Sequence, residues 1–502
     1  MKVLHGLLPG LVGFVLALGA GVCAGQGQNQ IRGKVGGEAL NQSAFALPDI
    51  GVQAFNAAGM ERDAGRTDGA GGFVLKVPAA DPVYRLIVWD EFNRWWGREI
   101  SDLHNDAKHR DLGMIVLRPQ TDGLSKEQKQ EESSVLNWLL KHNPLSAALM
   151  EMHLGHFDRN GEGNVPGLEG GGAKGSDALQ QLWESRYEPS SRAYSKFNYR
   201  VLRGADTVPA VSAGKLDFGA TDAAPTDAEL AASKTKLYKI PVALGGACVV
   251  YHSNKLPKEL RFTGGLLAKI YLGKVRSWND AEVAAINPDI ALPNLPITVI
   301  YSREARAASG VFSRYLSATF PDWREHVPSP ETPPLRLEVR PGGENGDMEE
   351  EIARKTSATD GAIAYVDSRY GLGSRAGRFE LSQGRVLNRA GSYIAPTPDS
   401  ITASVLEAKG LADLRDSMAK PKSPEAYPMA SAFWMVVPVL PEEPKKTFVL
   451  LDYINFSLKK GQDSEVASGY VALPPALVTA VNRELNAIAA GLLERVRRPR
   501  IM

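Results

Sequence analysis

Lys215-Leu-Asp-Phe-Gly-Ala-Thr-Asp-Ala-Ala-Pro-Thr226 is the stretch whose reading decides the fold. Leu216 to Gly219 is a short apolar run ending in small residues, the pattern of a buried strand reaching the edge of its sheet. Thr226 with Glu229 fits a reciprocal capping box, which predicts a helix from about Asp227. Asp222 then falls on the loop between strand end and helix start, where α/β proteins place ligand groups. From this segment alone two readings stay open: a ligand-facing carboxylate, or a turn former ahead of Ala223-Ala224-Pro225.

Around this stretch, strands and helices alternate from Ser176 onward, which gives the α/β class. Ser176 or Asp177 is placed to cap a helix over residues 178–186, and Phe197-Asn-Tyr-Arg-Val-Leu202 reads as the next strand. Ile240 to Tyr251 and Pro428 to Pro438 are two unusually long apolar runs.

The chain has 502 residues, enough for two or three domains, with 43% hydrophobic and 23% charged residues. A formal net charge of +1 supplies no overall field for nucleic acid or an anionic membrane, so any anion site must be local. Residues 1–24 read as a secretory signal: Lys2, an apolar core from Leu7 to Leu18, and the small-residue site Val22-Cys-Ala24. Cys23 raises the rival reading of a lipid anchor, which Val22 before it suits poorly. Cleavage after Ala24 leaves Cys248 as the only cysteine and excludes an internal disulfide. Cys248 lies in an apolar run and reads as a buried, inert thiol. No later hydrophobic run is long enough to span a bilayer, so an integral membrane protein is not expected.

Residues 31–118 alternate short strand-like runs with turn residues, which argues a small antiparallel β-sandwich. The runs are Ile31–Val35, Gly51–Phe55, Gly72–Pro78, Tyr84–Trp89 and Asp111–Leu117. Thr67-Asp-Gly-Ala-Gly-Gly-Phe73, followed by a strand and Val77-Pro78, resembles the carboxypeptidase regulatory-like domain appended to many secreted proteins. Trp95-Trp96 reads as packing against the sandwich edge rather than an exposed platform.

Residues 119–169 read as a helical connector, with helices from Ser125 to Leu140 and from Pro144 to His156. The second runs into Asp158-Arg-Asn-Gly-Glu-Gly-Asn-Val-Pro-Gly-Leu-Glu169, whose spacing is that of an EF-hand loop. Asp158, Asn160, Glu162 and Glu169 would supply oxygen ligands to a structural calcium. A polar linker matching by chance is the other open reading.

Asp217-Phe-Gly-Ala-Thr-Asp222, Ile270-Tyr-Leu-Gly-Lys-Val-Arg-Ser-Trp-Asn-Asp280, Ile286-Asn-Pro288, Asp360-Gly-Ala-Ile-Ala-Tyr-Val366 and Tyr470-Val-Ala-Leu-Pro474 occur in this order. Together they resemble the periplasmic phosphate-binding proteins that feed ABC importers, over about residues 174–486. The resemblance implies a two-lobed, hinged, type II periplasmic-binding-protein fold over residues 170–490. One lobe would hold about 170–245 and 430–490, the other about 246–427, with the two long apolar runs crossing between them. It further implies that Asp222 accepts a hydrogen bond from a protonated oxyanion, and that Ser176, Gly204, Thr207 and Ser309 line the site. Arg303 or Arg306 would supply the guanidinium, although the glycines of that family loop are absent here.

The leading expectation is a secreted or periplasmic receptor for phosphate or a similar oxyanion, with an ABC permease as partner, no required cofactor and no covalent chemistry. A surface adhesion protein that works through its N-terminal sandwich is the alternative. A hydrolase is disfavoured: the chain has no Gly-x-Ser-x-Gly elbow, no HExxH helix and only eight scattered histidines.

Overall fold

The computed structural model describes residues 28–38, 44–46, 51–78, 80–81, 83–89, 98–104, 106, 111–117, 135–153, 167–173, 180, 183–184, 187, 197–202, 206–222, 224–302, 307–323, 338–339, 348–372, 378–412, 414–459, 461 and 469–497. The signal segment, the helix start at Ser125 and Trp95-Trp96 lie outside them. Residues 1–89 with 98–118 form one unit, and 90–97 with 119–502 the other.

The first unit is all β: β1 (Gln28–Glu38), β2 (Ala44–Ala46), β3 (Gly51–Asn56), β4 (Glu61–Arg66), β5 (Gly72–Pro78), β6 (Val83–Trp89), β7 (Arg98–His104) and β8 (Asp111–Leu117). One sheet has the order β2-β1-β5 with β8 beside β1, and the other runs β4-β3-β6-β7. Alternation sets the faces: Phe73, Leu75 and Val77 point inward from β5 while Val74 and Lys76 point out. At the β4–β5 turn the Asp68 carboxylate accepts from the N–H of Ala70 and Gly72, and Gly71 takes a positive φ of 74°. Two features differ from a simple antiparallel sandwich. β8 returns parallel to β1. β4 is polar throughout, and it belongs because its polar groups find partners: Gln53 donates to Glu61 at 2.8 Å, and Arg62 pairs with Asp81 at 2.7 Å.

In the second unit the strands are β9 (Leu168–Ala173), β10 (Phe197–Leu202), β11 (Phe218–Thr221), β12 (Leu237–His252), β13 (Glu259–Phe262), β14 (Thr298–Val299), β15 (Tyr301–Ser302), β16 (Glu338–Val339), β17 (Ala362–Asp367), β18 (Ser382–Leu387), β19 (Tyr393–Ile394) and β20 (Ala430–Pro438). The main sheet runs β10-β9-β11-β20-β12-β17-β14. β12 and β20 are the two long apolar runs, paired antiparallel from Leu237↔Pro438 to Gly246↔Ala430. From Ala247 to His252 the same strand β12 pairs instead with β17. One 16-residue strand thus belongs to two lobes, with the change of partner at Gly246 and Ala247. Glycine is needed there: a β-carbon on Gly246 would stand 2.6 Å from the Met429 carbonyl oxygen. The fold is α/β and two-lobed.

The sequence motifs turn out to be joints of this frame. Trp278, fully buried, donates its indole N–H to the Gly361 carbonyl at 3.0 Å and ties the second motif to the fourth. Asn287 in the third motif bonds both the N–H and the C=O of Arg261 through its side chain, pinning β13. Val471 in the fifth exchanges backbone bonds of 2.7 and 2.8 Å with Leu244 on β12.

The helix Pro144–His153 is described as far as His153, and it packs into the α/β unit. Its Leu145, Ala148, Leu149 and Met152 join the same core as Leu485, Ile488 and Leu492 of the helix Pro475–Arg497. Leu145 N–H donates to the Asn486 side chain at 3.1 Å, and buried Glu151 pairs with Arg497. Burial of that apolar stripe makes it part of the α/β unit.

Candidate functional site

β11 is buried at all four positions, wedged between β9 in parallel and β20 antiparallel. Thr226 and Glu229 cap the next helix reciprocally, Glu229 N–H to Thr226 Oγ1 at 3.1 Å and Thr226 N–H to Glu229 at 2.7 Å. Asp222 is thereby fixed on the loop between them, as its sequence context predicts.

Asp222 borders a cavity of about 40 Å³ whose walls come from both lobes. Ala224, Ser431, Trp434, Arg314 and Arg415 are among the residues that line it. Asp222 is half-buried and lines this cavity. Burial, then the negative charge of Asp367, pushes its pKa up to about 6; Arg369 pulls the other way and Glu349 adds to the rise. Asp367 and Arg369, both buried, form an ion pair at 3.0 Å, and the Asp367 N–H donates to Glu349 at 2.9 Å.

The other expected residues divide. Thr207 is fully buried at the start of the helix Thr207–Ser212, its hydroxyl without a hydrogen-bond partner. Ser309 is buried in the helix Ala307–Thr319 and shares a 3.0 Å hydrogen bond with the Tyr365 hydroxyl. Ser176, Gly204, Arg303 and Arg306 lie outside the described residues. So do Asp158, Asn160 and Glu162. Glu169 lies on β9, its carboxylate bonded by Arg200 at 3.3 Å and Asn198 at 3.1 Å. Among the described residues no group of three or more His, Cys, Asp or Glu is poised for a metal.

Sequence reasoning missed Arg314, Arg415 and the Asp367–Arg369 pair. The fourth motif ended at Val366, one residue short of that pair. Nothing local marks Arg314 or Arg415, which sit in ordinary amphipathic helix contexts.

Residues 169–459 match the model of the PBP superfamily domain, and the chain belongs to that family. The match begins on β9 and ends just past the helix Pro444–Ser457. Among curated relatives, the phosphate-binding protein PstS of Xylella fastidiosa (strain Temecula1) is 27% identical over 317 residues, 62% of this chain and 83% of that protein. PstS of Haemophilus influenzae is 26% identical over 320 residues, 63% of this chain and 92% of its own. A solved phosphate-binding protein from Stenotrophomonas maltophilia has a TM-score of 0.45 and 16% identity, covering 64% of this chain and 93% of that one. Both PstS relatives are named for phosphate binding.

Proposed function

We propose that this chain is an exported receptor for phosphate or a closely similar oxyanion, which it holds between its lobes and delivers to an ABC permease. The observation that carries the reading is Asp222: a carboxyl with a raised pKa, at a strand end, on a cavity shared by both lobes and faced by arginines. A neutral-overall protein can hold an anion where guanidinium groups and hydroxyls converge, while a carboxylate accepts the proton of a protonated guest. The relatives named for phosphate binding favour that guest. Ser176, Gly204, Thr207, Arg303 and Arg306 remain part of the proposed shell, and a calcium brace at Asp158, Asn160, Glu162 and Glu169 a separate proposal.

Calorimetric titration of the mature chain with phosphate, sulfate and arsenate, with and without calcium, tests it. Phosphate is expected to bind, and Asp222→Leu or the double change Arg303→Ala with Arg306→Ala to abolish or strongly weaken binding. Unchanged phosphate curves in these variants would remove them from the site.

A further inference from the structure

The loop that the family resemblance assigns to the anion-binding guanidinium has lost its glycines, and its hydroxyl, Ser309, is bonded into the lobe interior. Two other arginines border the cavity itself. Arg314 projects from the helix Ala307–Thr319 and folds back toward its N-terminus. Its Nη1 lies over Gly310, 3.3 Å from the point a β-carbon there would occupy. The guanidinium thus lies over the Gly310 turn of the helix Ala307–Thr319. Arg415 lines the same cavity and is close enough to Asp227 to help hold its carboxyl below the usual range, after the larger effect of Lys239. Arg369, ion-paired with Asp367, does not line the cavity.

Resting on the oxyanion-receptor reading, we propose that Arg314 and Arg415 form the cationic wall of the anion site, opposite Asp222. The cavity is small, about 40 Å³, which suits one compact tetrahedral oxyanion better than a phosphoester with an organic arm. The apolar surroundings of Val311, Met418 and Trp434 exclude water and strengthen the charge-assisted bonds.

The test is calorimetry on the full mature chain with inorganic phosphate and, separately, glycerol phosphate, using Arg314→Gln, Arg415→Gln and Arg314→Lys. Each Gln variant is expected to lose roughly ten- to hundredfold in phosphate affinity with an unchanged melting temperature. Arg314→Lys should recover part of the loss, since it keeps the charge without the forked geometry. Glycerol phosphate should give no heat. Phosphate binding that is normal in the parent and in both Gln variants would overturn the assignment and leave the receptor reading standing. Glycerol phosphate bound as well as phosphate would overturn the size limit. No phosphate binding by the parent chain would sink the receptor reading, and this inference with it.

Discussion

Asp222 holds its carboxyl proton to about pH 6 in the folded chain against an ordinary value of 3.8. A raised acid pKa means that the folded protein binds the proton more tightly than the unfolded chain does. The cost of ionising Asp222 is therefore absent below pH 3.8, grows as pH rises between the two values, and is complete above about 6. Asp222→Asn removes that cost with little change of shape. Ligand-free Asp222→Asn is expected to be more stable than the parent by about 3 kcal/mol at pH 7.5 and nearly equal to it near pH 4. Urea unfolding at the two pH values measures this, and equal midpoints at pH 7.5 would mean that the carboxyl is not confined as described. The position of Asp222 was readable because backbone rules announce it: an apolar run before, a capping box after. Arg314 and Arg415 were not, since they meet Asp222 only once distant helices have packed, and surface-type arginines on a helix look alike in a sequence.

At the scale of the element, β12 was legible as a long apolar run and its double allegiance was not. Periodicity reports burial, but it does not say where a strand exchanges one partner for another. Gly245 and Gly246 carried that information. A methyl on Gly246 meets backbone, the Met429 carbonyl oxygen, so relief requires moving β20. Gly246→Ala is expected to destabilise by about 1–3 kcal/mol, read as a lower urea midpoint with an unchanged m-value. A neutral result would show that the paired strands can part at no cost. β4 fell on the other side of legibility. Its residues, Glu-Arg-Asp-Ala-Gly-Arg, have no apolar alternation, and only the partners supplied by Gln53 and Asp81 make it a strand. Four of the motifs that revealed the family, in contrast, hold the frame together through Trp278, Asn287, Gly361 and Val471, which is why the fold was easier to read than the site.

For the whole molecule, the boundary between appended and integral segments falls earlier than a linker reading of residues 119–169 suggests. The helix Pro144–His153 fills the flank of the helices Pro444–Ser457 and Pro475–Arg497, so it is core and not tether. Leu149, fully buried there, is expected to cost about 2–5 kcal/mol when changed to alanine. Thermal melting followed on the α/β unit checks this, and a change under 1 kcal/mol would return the segment to the status of a loose arm. A shortened chain should therefore keep everything from residue 119 onward.

The uninterrupted course of β12 has one more result. Lobes joined by loops can swing apart almost freely, but lobes sharing a single ribbon of paired strands can separate only by winding or unwinding it, as a torsion bar does. The strain then collects around the Ala247 amide, which bonds the Met429 carbonyl at 3.0 Å beside the bare glycine pair. Deuterium uptake at that amide should slow when an anion locks the ribbon and quicken when it leaves.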